Sequence, residues 1–145
     1  MKALPLQLQL ALIDKTIQLM KSDFIPYSIC AVLYDAYIEF KTEANSKDQK
    51  LINKFERDYK RSLIPWGTTA IERRALPLFT FGHAMQFLKD SNLSKYDGAN
   101  EHLFWFKCDD LNIRIKFLNY LRSKIINQIK EENGNITIED SINDN

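Results

Sequence analysis

At 145 residues, 45% of them hydrophobic and 27% charged, the chain has the size and balance of one folded domain, which excludes a disordered polymer. Four glycines and four prolines are too few for the frequent turns of a sandwich or barrel, and Gly67, Gly82, Gly98 and Gly134 are too scattered for a phosphate loop. The formal net charge of +1 hides a split: residues 1–130 hold all 20 basic side chains against 14 acids, whereas residues 131–145 hold five acids and no base. That split fits a polyanion-binding body with an acidic tail, and it equally fits a tail that only aids solubility.

The chain opens with "MKALPLQLQLALIDK", a lysine followed by an apolar stretch. Gln7 and Gln9 interrupt the stretch, charges return at Asp14 and Lys15, and no small-residue cleavage site follows, so a secretory signal is not expected. No run reaches the roughly 18 apolar residues of a membrane span. A cytoplasmic location is the expectation, with Cys30 and Cys108 as thiols and a buried structural place for Cys30. Leu4, Leu6, Leu8, Leu10 and Leu12 alternate as in a strand, yet Leu and Gln favour helices, and Ile13, Ile17 and Met20 continue with helical spacing. With Pro5 suited to a first turn, the pattern predicts a helix from about 5 to 21.

"PYSICAVLYDAYIEFKTE" is apolar except at Ser28, Asp35, Glu39 and Thr42, which fall within about 60° on a helical projection. The remainder should be covered, so residues 26–43 are expected as a central helix. Asp35 and Glu39 lie four apart, but no His or third acid accompanies them at ligand spacing. A solvated strip accounts for them better than a metal site or an acid–base pair.

Ser46 and Gln49 have the spacing of a capping box and predict the start of a third helix. On it, Leu51, Ile52, Phe55, Tyr59 and Leu63 should face inward across about 120°. Lys47, Lys50, Lys54, Arg57 and Arg61 then gather within about 80° on the opposite side, a stripe about 20 Å long. Such a stripe is commonly a solvated face. It can also follow a phosphate backbone, or meet an acidic protein surface. Lacking an aromatic for base stacking or an Asn or Gln to read adenine, it would recognise nucleic acid by charge and shape.

Pro65, Trp66 and Gly67 break the chain, and Thr69 with Glu72 has the spacing of a second capping box. Pro77 lies about two turns further on, so this helix either kinks or stops near Leu76 and restarts. Arg73 and Arg74, beside the break, could extend the basic surface, and Trp66 is either a lid over the core or an interface anchor. His83 sits amid Phe79, Phe81, Met85 and Phe87, the setting of a satisfied core histidine, and His102 is likewise unaccompanied. No "HExxH", Cys/His metal spacing or "GxSxG" elbow occurs in the sequence.

Past Asp97-Gly98 comes the apolar run Leu103, Phe104, Trp105 and Phe106, too short to assign by periodicity. Asp109 or Asp110 should cap a long helix over about 109–132 that ends near Gly134. Its apolar positions cover about two-thirds of the circumference, so it either runs through the bundle or is partly buried by a second copy or a partner.

Together these features predict an all-α protein, an irregular single-domain bundle of five or six helices over residues 1–132 with a short, acidic, flexible tail at 133–145. The helices at 26–43 and 109–132 are expected at its centre. The expected function is binding of a macromolecule without chemistry, cofactor or metal. A protein partner with an acidic surface comes first, as for a regulator, inhibitor or adaptor, and nonspecific DNA or RNA second. Lys47, Lys50, Lys54, Arg57, Arg61, Trp66, Arg73, Arg74 and Trp105 are the candidate partner-binding residues, with a homodimer through the C-terminal helix as a further arrangement.

Overall fold

The helix predicted near the N-terminus forms as α1, Leu6–Ser22. Its first turn is closed by the Pro5 carbonyl, which accepts from the N–H groups of Leu8 and Gln9, both at 2.9 Å. Gln9, which seemed from its polarity to break an apolar run, is buried and donates from Nε2 to the Leu4 carbonyl at 2.8 Å. A buried amide is tolerated when its donor is satisfied in this way. Leu8, Gln9, Leu12, Ile13, Thr16, Ile17 and Met20 are all buried, two adjacent stripes that let α1 face two partners at once.

Those partners are α2, Ile29–Glu43, and α6, Leu111–Asp144, the last helix of the chain. Between them in sequence lie α3, Ser46–Arg61, α4, Ile71–Ala75, and α5, Phe81–Asp90. The computed structural model describes residues 3–22, 29–61, 70–93 and 110–144, with side chains as far as 133. It is the all-α single-domain bundle that the sequence predicts, with six helices and no strand among the described residues. Short α4 packs on both α2 and α3, and α5 packs on α6.

The expected centre of the bundle needs correction. Helix α1 is the element shared by α2 and α6, whereas α2 leaves Tyr34 (49% exposed) and Ile38 (46%) in solvent beside Asp35, Glu39 and Thr42. The wet strip of α2 is therefore wider than its polar residues alone imply. Only Val32, Leu33, Ala36, Tyr37 and Phe40, with Ile29, are buried, because α1 and α4 cover a single side. Cys30 is half-buried and packs against the core, while Cys108 lies outside the described residues.

Helix boundaries follow local chemistry, not always at the expected residue. Asn45, one residue before Ser46, caps α3 through Oδ1, which accepts from the Asp48 N–H at 2.8 Å. Gln49 does not reach back to close a box; its side-chain amide donates to the Lys41 carbonyl in the last turn of α2. The capping residue of α4 is Ala70, with no side-chain cap, and Glu72 is buried on that helix. Thr69, the other member of the expected box, lies outside the described residues.

Of the two outcomes left open at Pro77, the helix stops. Leu76 adopts an extended backbone (φ −125°, ψ 84°), as a residue before proline must, and a turn closes with the Phe79 N–H on the Leu76 carbonyl at 3.0 Å. Thr80 then caps α5, its Oγ1 accepting from the His83 N–H at 3.1 Å. At its other end α5 finishes in a Schellman motif with Asn92 in the left-handed region (φ 55°). There the Leu93 N–H bonds to the Leu88 carbonyl and the Asn92 N–H to that of Lys89, both at 3.2 Å.

Asp110, one of the two aspartates expected as the cap of α6, serves as it, its Oδ1 accepting from the N–H of Asn112 at 3.0 Å, while Asp109 lies outside the described residues. The helix does not stop at Gly134 but continues to Asp144. One interior glycine lowers helix stability by about 1 kcal/mol without forbidding the conformation. Phe117, Leu118, Leu121 and Ile125 of α6 are buried. Phe117 lies within 6.1 Å, ring centre to ring centre, of Phe79 and within 5.6 Å of Phe87. Two surface ion pairs, Asp14–Arg122 at 2.6 Å and Lys15–Glu43 at 2.7 Å, tie α1 to α6 and α2.

Candidate docking surface on the third helix

Helix α3 is held by one side only. Ile52 and Phe55 enter the core, and Glu56, a turn after Ile52, bridges to α2. Glu56 Oε2 accepts from the Tyr37 hydroxyl at 2.7 Å while Oε1 pairs with Lys41 Nζ at 2.8 Å. Burial pushes the Glu56 carboxyl up, but the hydrogen bonds from Lys41 and Tyr37 and the nearby positive charges outweigh it and hold it below its ordinary value. Burial, the bond to Glu56, and the charges of Glu56 and Glu72 hold the Tyr37 phenol protonated well above its usual range, so it remains a donor. This anchored edge fixes the rotation of α3 about its own axis.

With that rotation set, Lys47, Lys50, Lys54, Arg57 and Arg61 all lie in solvent. Among the described residues none of the five makes an ion pair or a side-chain hydrogen bond. Glu56 faces α2, away from the stripe, and is occupied by Lys41 and Tyr37, whereas Asp58, four residues after Lys54, flanks the stripe. The stripe presents five exposed cations over about 21 Å of helix, with the Asp58 carboxylate at its edge. Arg73 and Arg74 are half-buried on α4, which packs against α3, and are less open to solvent than the five. Trp66 and Trp105 lie outside the described residues.

The inward set predicted on α3 is too large by one member. Leu51 is 37% exposed, Tyr59 is half-buried and Leu63 lies outside the described residues. Leu51 borders a shallow notch with Phe55, Lys54 and Asp58 on α3 and Ala3 and Pro5 from the N-terminal segment. Sequence reasoning missed this notch, because Ala3 and Pro5 stand almost fifty residues away from Leu51 and nothing local signals their approach.

Asp35 and Glu39 are exposed on α2. His83 is half-buried, its Nδ1 2.7 Å from the Thr80 hydroxyl that also caps α5. Among the described residues no group of three or more His, Cys, Asp or Glu side chains is placed to hold a metal, and no helix is long and apolar enough to cross a membrane. No family model, curated protein or solved structure matches this chain.

Proposed function

We propose that the protein acts by binding another macromolecule through the exposed cationic face of α3, that its partner is a protein with an acidic surface, and that it performs no chemistry of its own. A regulator, inhibitor or adaptor in the cytoplasm is the role this implies. The observation that carries the reading is the alignment of Lys47, Lys50, Lys54, Arg57 and Arg61, all exposed and none ion-paired among the described residues. Single surface ion pairs contribute only about 0–1 kcal/mol, so the face would steer and orient a partner more than it would supply affinity. Affinity capture from the native host with and without nuclease tests it, using the natural protein beside a Lys50→Glu, Lys54→Glu, Arg57→Glu variant. A defined protein that survives nuclease and is lost with the variant supports the reading; capture unaffected by the variant removes it.

Nucleic acid is the second reading, favoured by the length of the same stripe. Five phosphate contacts would give a slope of log affinity against log salt of about −4.5 on duplex DNA. Each cation removed would flatten that slope by about one. Fluorescence anisotropy with a labelled duplex between 50 and 200 mM salt measures it, and a flat response discards the reading.

A further inference from the structure

The notch beside Lys54 narrows the class of partner, resting on the docking role proposed for α3. Leu51 follows Lys47 by four residues and precedes Lys54 by three, so the three share one face of the helix. Phe55, 4% exposed, forms the apolar floor, and Ala3 and Pro5 form the far wall. Lys54 belongs both to this notch and to the stripe, while Lys50, Arg57 and Arg61 run along the stripe's other edge. Asp58 stands on the rim of the notch.

We infer that the segment seated on α3 is an acidic stretch of polypeptide with one apolar anchor residue, its carboxylates on the stripe and its anchor against Leu51, Phe55 and Pro5. Charge complementarity selects the acidic segment, and the apolar notch separates a peptide from a phosphate backbone. A phosphodiester chain brings no apolar side chain to Leu51, and its uniform charge meets the Asp58 carboxylate. A peptide can present a backbone N–H or a single donor to Asp58 next to its anchor. Seating one Leu- or Phe-sized side chain is worth roughly ten- to a hundredfold in Kd.

The test is selection from a displayed library of random peptides of about 15 residues, long enough to follow the stripe as a helix. The natural full chain serves as bait, and the selected peptides are then measured by anisotropy. The expected consensus has several Asp or Glu and one Leu, Phe or Trp at fixed spacing. Replacing that apolar residue by Ser should weaken binding at least about tenfold, as should Leu51→Asn in the protein. Leu51→Asn must keep the natural circular dichroism and melting temperature, and the peptide-side Ser replacement gives the same answer without altering the protein. Acidic peptides without a preferred apolar position, or an anchor indifferent to Leu51→Asn, overturn the inference and leave the docking role standing. Peptides that bind the Lys50→Glu, Lys54→Glu, Arg57→Glu variant equally well overturn the docking role itself. A DNA duplex that binds the same face more tightly than every selected peptide and displaces them all points to nucleic acid and overturns the inference.

Discussion

Glu56 shows what a single residue decides here. Its carboxylate holds Tyr37 and Lys41 together and so joins α2 to α3. Because its folded pKa lies below the ordinary 4.5, its stabilisation is fully present above that value and is lost as pH falls through the folded pKa. Glu56→Gln should therefore cost roughly 1–2 kcal/mol at pH 7, and the gap to the natural protein should begin to narrow below about pH 4.5 and close once pH has fallen past the lowered folded pKa. Urea unfolding at a series of pH values measures this, and a gap independent of pH would show that the charge is not what matters. Asn92 is a second such residue, since its φ of 55° suits glycine better than any residue with a Cβ. Asn92→Gly should preserve or slightly raise the melting temperature, while Asn92→Val should lower stability by about 1–2 kcal/mol, read from thermal unfolding.

At the scale of the element, boundaries come from short-range chemistry and burial comes from neighbours. Pro77 ends α4 because Leu76 cannot stay helical before it, and Thr80 starts α5 because its hydroxyl satisfies the His83 N–H. Thr80→Ala should accordingly lower stability by about 1 kcal/mol, whereas Thr80→Ser should cost far less; thermal unfolding distinguishes them. The join of α5 and α6 depends on Phe117, fully buried between Phe79 and Phe87. Phe117→Ala should cost about 3–5 kcal/mol, a large share of a domain's typical 5–15 kcal/mol, with the midpoint of urea unfolding as its measure. A cost under about 1 kcal/mol would mean that the pocket collapses around the loss.

For the whole molecule, the packed side of α3 and its cationic stripe lie on different faces. Because Lys50, Lys54 and Arg57 are exposed and make no ion pair among the described residues, reversing all three charges should change stability by less than about 0.5 kcal/mol per site. The same change should abolish salt-sensitive binding, and a variant that instead unfolds would show that the stripe serves the fold. Parallel measurement of unfolding and of peptide anisotropy on one preparation separates these outcomes. The exposed Tyr34 and Ile38 on α2 stand beside the carboxylates of Asp35 and Glu39 and away from the cationic stripe.

The sequence by itself determined the helical class, a break at Pro77, the stop near residue 43, and the angular gathering of the five cations on α3. Those are local properties: helical periodicity, proline sterics and side-chain angles depend on residues within a turn or two. Even so, a neighbouring cap moved one boundary by a residue, as Asn45 displaced Ser46 at the start of α3. Only the tertiary structure decided that α1 is the shared element, that one flank of α2 stays wet, and that Leu51 borders a notch instead of entering the core. Apolar character gives a side chain reason to be covered, but coverage needs a second surface. Which distant segment supplies it is settled when the helices pack, as Ala3 and Pro5 settle it for Leu51.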